Sequence, residues 1–121
     1  MAESSLAKDY TVGHLRMKYL DMANISFAQR AYVPALGFIH DFVNTLDENS
    51  NSGIDLKLEF DEIHHKKNKY INELKENTKE LGYLEKQDTY NNNREQIEIN
   101  AIHDMKASCW RIALKNGLFN E

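Results

Sequence analysis

The chain has 121 residues, of which 41% are apolar and 28% are charged, and its formal net charge is −4. This size suits one domain with a hydrophobic core and leaves no room for a second. The longest apolar run, around residues 31–39, is far shorter than the roughly 20 residues that cross a bilayer, and residues 1–9 lack the apolar core of a signal peptide. The single cysteine, Cys109, excludes an internal disulfide. We therefore expect one soluble cytoplasmic domain, residues 1–121, with no membrane partner.

The first predicted helix follows a short N-terminal segment. Residues 1–9 have no periodic face and are expected to form a loose lead-in. Asp9 and Thr11 are of residue types that start helices. Beyond them, side chains that can be buried recur at intervals of three or four residues, which predicts one buried stripe of a helix. The stripe consists of Leu15, Tyr19, Met22 and Ser26, with Leu20, Ala23 and Phe27 in the adjoining row.

A second helix is predicted after a turn at residues 30–32. The only proline, Pro34, fits the first turn of a helix and not its interior, although one kinked helix is the alternative. Apolar side chains cover more than half of the helical wheel, so this helix is expected to be the most buried of the chain. They are Ala35, Leu36, Phe38, Ile39, Phe42, Val43 and Leu46.

Residues 16–49 resemble one tetratricopeptide repeat, which is a pair of antiparallel helices. The residues that carry the resemblance are Tyr19, Met22, Ala23, Tyr32, Ala35, Ile39 and the segment 47–49. Arg30 stands where the repeat usually has a turn glycine, Asp47 stands where it usually has a closing proline, and no second copy follows. The resemblance implies a helical hairpin with similar packing, whereas a stable array of such repeats needs about three units.

The middle of the chain contains a loop and an ambiguous segment. Residues 47–53 are predicted to be a loop, since Asp, Asn, Ser and Gly follow one another there. From Ile54 to Phe60 apolar and charged residues alternate, which is typical of a half-buried strand. No other segment supplies a partner strand, so we interpret these residues as the start of a helix and keep a short strand as the alternative. Helical spacing then continues to Leu81 with a charged outer face.

A fourth helix is predicted in the last third of the chain. Gly82 and the polar run Gln87–Asn93 indicate a helix end and a loop. The next helix is expected from about Asn93 to Asn116, with Gly117 as its C-terminal stop. Four helices that each have one apolar stripe predict an all-α fold, most simply an antiparallel four-helix bundle built from helical hairpins.

One spacing suggests a metal site. Glu62 and His65 form a Glu-x-x-His pair, and Glu59 lies one turn earlier, as in carboxylate-bridged di-iron sites of helical bundles. Such a site needs a second Glu-x-x-His pair and further glutamates, which are missing from this sequence. We therefore expect no metal, no other cofactor and no catalytic residues. A metal-binding helical-bundle enzyme that uses Glu59, Glu62 and His65 is the alternative.

Two further features have simple structural interpretations. The basic run His64–Lys69, followed by Tyr70, is flanked by acidic residues in an acidic chain, so it indicates a solvated helix face and a nucleic-acid partner is not expected. Cys109 lies on the apolar stripe of the fourth helix, where a lone thiol usually behaves as a small, unreactive hydrophobic residue.

The breadth of the apolar faces on the second and fourth helices predicts a protein partner or a homo-oligomer, since four short helices need narrower stripes. The residues expected to bind the partner are Phe42, His103, Trp110 and Leu114. Trp110 could instead seal the core. The sequence thus predicts a non-enzymatic interaction module, such as an accessory subunit, an immunity factor or a viral inhibitor of a host protein.

Overall fold

The computed structural model describes residues 11–121, and all of the regular structure in them is helical. The elements are α1 (Val12–Ala28), α2 (Tyr32–Asn44), α3 (Asn51–Thr78), α4 (Tyr83–Lys115) and the short 3₁₀ helix Leu118–Asn120. This part of the chain contains no strand. The predicted all-α fold is confirmed, whereas the predicted lead-in at residues 1–9, with the start signal Asp9, lies outside the described residues.

Side-chain caps fix the starts of α1 and α3. The hydroxyl of Thr11 accepts a hydrogen bond from the backbone N–H of His14, as predicted for a start signal. The hydroxyl of Ser50 accepts one from the backbone N–H of Gly53. Each hydroxyl satisfies a backbone donor that has no partner inside its helix.

The turn between α1 and α2 has the hydrogen bonds of a Schellman motif. The N–H of Ala31 donates to the carbonyl of Ser26 (2.8 Å), and the N–H of Arg30 donates to that of Phe27 (3.0 Å). Arg30 has a φ of 61°, in the left-handed region that favours glycine. Pro34 is the third residue of α2, so the prediction of a turn followed by a new helix is confirmed and the single kinked helix is wrong.

The segment Ile54–Phe60 belongs to α3, so the prediction of a helix is confirmed and the alternative of a short strand is wrong. Its period of two arises because two apolar rows run along opposite faces of the helix. Leu56 is fully buried and Phe60, one turn later, packs against the core. Ile54 and Leu58, also one turn apart, are exposed.

Two predicted loops are shorter than expected because the helices that follow them begin earlier. α3 begins at Asn51, within the predicted loop 47–53. α4 begins at Tyr83 instead of near Asn93, so the prediction of a loop at Gln87–Asn93 was wrong. This polar run contains no proline or glycine, and nothing in it forces the helix to end.

The polar part of α4 is supported by side-chain pairs on its own surface. Arg94 donates to the hydroxyl of Tyr90 (3.0 Å) and forms an ion pair with Glu98 (3.3 Å). Pairs at this spacing stabilise a helix by a few tenths of a kcal/mol each. The helix ends where the sequence predicts, because Gly117 adopts a left-handed conformation with a φ of 63°.

The core-facing side of α1 is one row away from the predicted stripe. Leu20 and Ala23, from the adjoining row, are fully buried. Tyr19 and Met22 are only partly buried, and Leu15 is 38% exposed. Apolar periodicity locates a stripe on a helix, but a rotation by about one residue changes which row is buried.

The four helices form two hairpins that share one core. α1 packs against α2, α3 packs against α4, and α4 joins the hairpins because it also contacts α1 and α2. In contrast, α2 and α3 hardly contact each other although they are consecutive in the chain. The core consists of Leu20, Ala23, Ile39, Phe42, Leu56, Met105, Cys109, Ile112, Ala113 and Leu118.

A buried arginine ties the C-terminal residues 118–121 to α1. Arg16 donates to the carbonyl oxygens of Leu118 and Thr45 (3.1 Å each) and to the hydroxyl of Thr45 (3.0 Å). It also forms an ion pair with the carboxylate of Glu121. A buried charge is tolerated when its donors are all used, and within residues 11–121 no buried side-chain N or O atom lacks a partner.

Beyond this core, α3 and α4 continue as a two-helix arm, residues 70–97. α3 has 28 residues and α2 has 13, which correspond to about 42 Å and about 20 Å of helix. Only Ile71 and Thr78 are buried in the arm. The core therefore lies at the other end of these two helices.

Candidate functional site

Phe42 and Trp110, two of the predicted partner-binding residues, are part of the chain's own packing. Phe42 has no exposed surface and lies in the centre of the core, so it cannot contact a partner in this fold. The indole N–H of Trp110 donates to the side-chain oxygen of Asn24 on α1 (3.2 Å), and its ring packs 5.4 Å from that of Phe119. Trp110 therefore seals the core.

His103 and Leu114, the other two predicted residues, lie on the same face of α4 as Trp110. The ring of His103 packs 5.6 Å from that of Phe27 on α1, although its side chain is 58% exposed. Leu114 is 69% exposed. The four residues therefore do not form one exposed surface: the prediction for Phe42 is corrected by its burial, and partner binding at His103, Trp110 and Leu114 stays a prediction.

The alternative metal site is not assembled either. Glu59 forms an ion pair with Arg111 of α4, and Glu62 and His65 point to solvent. Within residues 11–121 no three His, Cys, Asp or Glu side chains are grouped so that they could hold a metal ion. The alternative prediction that Glu59, Glu62 and His65 bind a metal ion together is therefore wrong for this fold, because the carboxylate of Glu59 is paired with Arg111.

Cys109 is fully buried in the core. Burial raises the pKa of its thiol far above the ordinary range, and the negative charge of Glu59 raises it further. Both effects oppose formation of the thiolate, which is the reactive form of cysteine. The prediction that Cys109 is a buried hydrophobic residue is confirmed.

The basic run on α3 is solvated. The ammonium of Lys66 lies 5.7 Å from the centre of the Tyr70 ring, a cation–π distance within the same helix. Lys67 is partly buried and faces α2 and α4. Of this run, His64 and Lys67 line cavities that are shared with α2.

Two cavities of residues 11–121 lie where α2 and α3 separate. One, of about 380 Å³, has α2 and α3 as walls and α4 as its floor. The other, of about 820 Å³, lies beside the loop between α2 and α3. Both are lined by His64, so they adjoin at this residue, and we call the two together the α2–α3 groove.

The half of the α2–α3 groove that is floored by α4 is mainly apolar. Its lining includes Tyr32, Val33, Leu36, Ile99, Ile102 and Met105. The charged residues of its lining are Lys67, Glu95 and Glu98. This half can therefore accept an apolar side chain with little cost in desolvated charge.

The half beside the loop combines an apolar floor with acidic residues. The floor is formed by Val43, Leu46, Ile54, Leu56, Leu58 and Phe60. Among residues 11–121, the lining of this half includes the carboxylates of Glu48 and Asp61 and the ammonium of Lys57. Its charge is therefore negative on balance.

Sequence reasoning missed the groove because the groove depends on how α2 and α3 are placed relative to each other. The sequence shows that the apolar face of α2 is broad, but it does not show which surface the outer row of that face borders. The alternation at Ile54–Phe60 also indicates the groove, since the second apolar row, Ile54 and Leu58, is exposed and lines it.

Comparison of the chain with family models, curated proteins and solved structures found no match. The resemblance of residues 16–49 to a tetratricopeptide repeat therefore stays a prediction, although α1 and α2 do form a packed helical hairpin. In residues 11–121, no helix is both long and apolar enough to cross a membrane.

Proposed function

We propose that this protein is a helical interaction module that binds another polypeptide in the α2–α3 groove. The observation that carries the proposal is that both walls of the groove present apolar side chains which residues 11–121 leave uncovered. Val33 on α2 is 84% exposed, and Leu58 on α3 is 59% exposed. Covering an aliphatic side chain of this size contributes about 1.5–3 kcal/mol, so a partner that buries both gains substantial affinity.

The sequence of α2 suits a helix with contacts on two sides. Its inner row, Ala35, Ile39 and Phe42, is fully buried in the core. Its outer row, with Val33 and Leu36, lines the groove. A helix that packs on one side only normally has polar residues on the other, so the outer row favours a second contact.

The clustering of these residues matters more than their exposure. Single exposed hydrophobic residues are common on monomeric proteins and need no explanation. Here apolar residues from two helices converge on one depression, and Ile54 and Leu58 lie beside Val43 and Leu46 in it. Contiguous apolar surfaces with polar rims mark protein-binding sites more often than bare exposure does.

The proposal is for binding and not for catalysis. An accessory subunit, an immunity factor and an inhibitor of a host protein would each act by covering or positioning a partner, and the groove supports that general role. A second copy of this chain is the other polypeptide that could occupy the groove, and the experiment below separates the two.

The test uses two charge substitutions in the groove, Val33→Glu and Leu58→Glu. Both side chains are mostly exposed, so the fold is expected to tolerate the change. Affinity-tagged protein is isolated from cells that express it naturally, and co-purifying proteins are quantified by mass spectrometry. We expect at least one protein that is recovered with the unmodified chain to be lost with each groove variant.

The matched control is Leu84→Glu, which changes a leucine that is 74% exposed but lies at the far end of the arm. This variant is expected to retain the same co-purifying proteins. Light scattering on the purified chains shows whether the lost species is a second copy. The proposal is wrong if the groove variants and the control recover the same proteins in the same amounts.

A further inference from the structure

On the basis of the proposed function, we infer that the polypeptide bound in the α2–α3 groove is an amphipathic α-helix of another protein, with lysine or arginine residues beside its apolar row. Three observations support this chemistry. They are the shape and walls of the groove, the sign of the charge around it, and the charge of this chain itself.

The walls of the groove select a helix over an extended peptide. An extended peptide gains most of its affinity by pairing its backbone with the open edge of a sheet. Here the walls are the helices α2 and α3, whose backbone groups are already paired within each helix. A bound helix pairs its own backbone and can place one apolar row between two neighbouring helices.

The space between α2 and α3 corresponds to a missing neighbour in a helical bundle. Helices that pack directly lie about 8–10 Å apart. α2 and α3 hardly touch, and the two cavities between them extend from Val33 near the start of α2 to Asn49 in the loop beyond its end. α2 is about 20 Å long, so the groove matches an apolar row of about four helical turns.

The chain segment around the loop half is rich in carboxylates, of which Glu48 and Asp61 line this half, whereas Glu62 lines another cavity together with Lys66 and Arg111. Between Asp41 and Glu62 the chain has seven carboxylates and one lysine, Lys57. One carboxylate, Glu59, is paired with Arg111. The other six are exposed, and no ion pair joins them to a Lys or Arg of the described residues; they are Asp41, Asp47, Glu48, Asp55, Asp61 and Glu62.

Charge of this sign determines which amphipathic helix fits. A partner helix with basic residues beside its apolar row brings opposite charge to both edges of the groove. Complementary charge of this kind raises the association rate and suppresses partners of the wrong sign. A second copy of this chain carries the same net charge of −4, so repulsion disfavours it as the occupant.

The probe is a pair of synthetic helical peptides of about 14 residues with the same leucine row, one with lysine and one with glutamate at the flanking positions. Binding to the full-length protein is measured by fluorescence anisotropy. We expect the lysine peptide to bind at least about tenfold more tightly than the glutamate peptide. Its affinity should fall as NaCl is raised from about 50 to about 500 mM.

A charge-matched pair of variants separates the groove from the overall charge of the chain. The double variant Glu48→Lys, Asp61→Lys changes the edges of the groove. The double variant Glu73→Lys, Glu80→Lys alters the net charge equally but lies on the arm, where both residues are exposed. The lysine peptide should lose about tenfold in affinity with the first variant and stay within about twofold with the second.

Leu58→Glu supplies a second readout, because it should weaken binding of the lysine peptide without unfolding the chain, as circular dichroism can verify. The inference is overturned if both double variants weaken binding equally, if the glutamate peptide binds as tightly, or if the chain is a dimer that Leu58→Glu dissociates. If cellular proteins still depend on Val33 and Leu58 while the lysine peptide fails, the proposed function stands and only the partner's chemistry is wrong.

Discussion

Replacement of Gly13 by alanine tests how residues 118–121 hold the start of α1. The backbone N–H of Gly13 donates to the backbone carbonyl of Glu121 (3.0 Å). A Cβ at this position would overlap the carbonyl oxygen of Phe119 and lie 2.9 Å from that of Glu121. These obstacles are backbone atoms, so the Gly13→Ala change must displace the whole C-terminal segment.

The cost follows from what that segment contributes. Leu118 is 5% exposed, and exposing it costs about 1.5–3 kcal/mol. The hydrogen bond from Arg16 to the Leu118 carbonyl, which involves a charged donor, adds about 1.5–3 kcal/mol. Alanine recovers about 1 kcal/mol of helix propensity. The free energy of unfolding should therefore fall by about 2–5 kcal/mol.

Urea denaturation followed by circular dichroism measures this change. The control is Gly37→Ala in α2, where a Cβ meets no atom within 4 Å, and it should stabilise the chain by up to about 1 kcal/mol. If residues 118–121 are displaced in Gly13→Ala, a further Leu118→Ala substitution should cost much less there than in the unmodified chain. The reasoning is refuted if Gly13→Ala is as stable as Gly37→Ala.

Two other predictions concern the turn after α1 and the buried thiol. Arg30→Gly should raise the free energy of unfolding by about 0.5–1 kcal/mol, because glycine adopts the left-handed conformation of this position without strain. The control Gln29→Gly, at a φ of −84°, should lower the free energy of unfolding. Thermal unfolding of the two variants measures the difference. Cys109 should react with iodoacetamide only on unfolding, since burial raises its pKa. Because an unfolded cysteine loses its proton near pH 8.5 and the folded one keeps it, the stability advantage over Cys109→Ala should decline as pH rises above about 8.5.

The parts of the fold that sequence predicts well depend on local interactions. Thr11 caps a helix that begins one residue later, and Pro34 occupies the first turn of α2. Gly117 ends α4 in a left-handed conformation. Each of these residues acts on backbone groups within a few positions of itself, so its effect can be read without knowing the rest of the structure.

The parts that sequence misses depend on contacts between distant residues. Arg16 is buried on α1 because Thr45, Leu118 and Glu121 satisfy its guanidinium, and the last two lie more than a hundred positions away. The periodicity of α1 gives no sign of such partners. Trp110 likewise packs against the core, where Asn24 on α1, 86 positions earlier in the chain, accepts its indole N–H.

The alternation at Ile54–Phe60 links the fold to the proposed function. On a helix, residues two positions apart point about 200° from each other, so alternate apolar residues occupy two opposite faces. Leu56 and Phe60 pack into the core, whereas no residue of the described chain covers Ile54 and Leu58. When no partner strand exists, the same pattern that suggests a half-buried strand predicts a helix with a second contact surface. In this chain that surface is one wall of the α2–α3 groove.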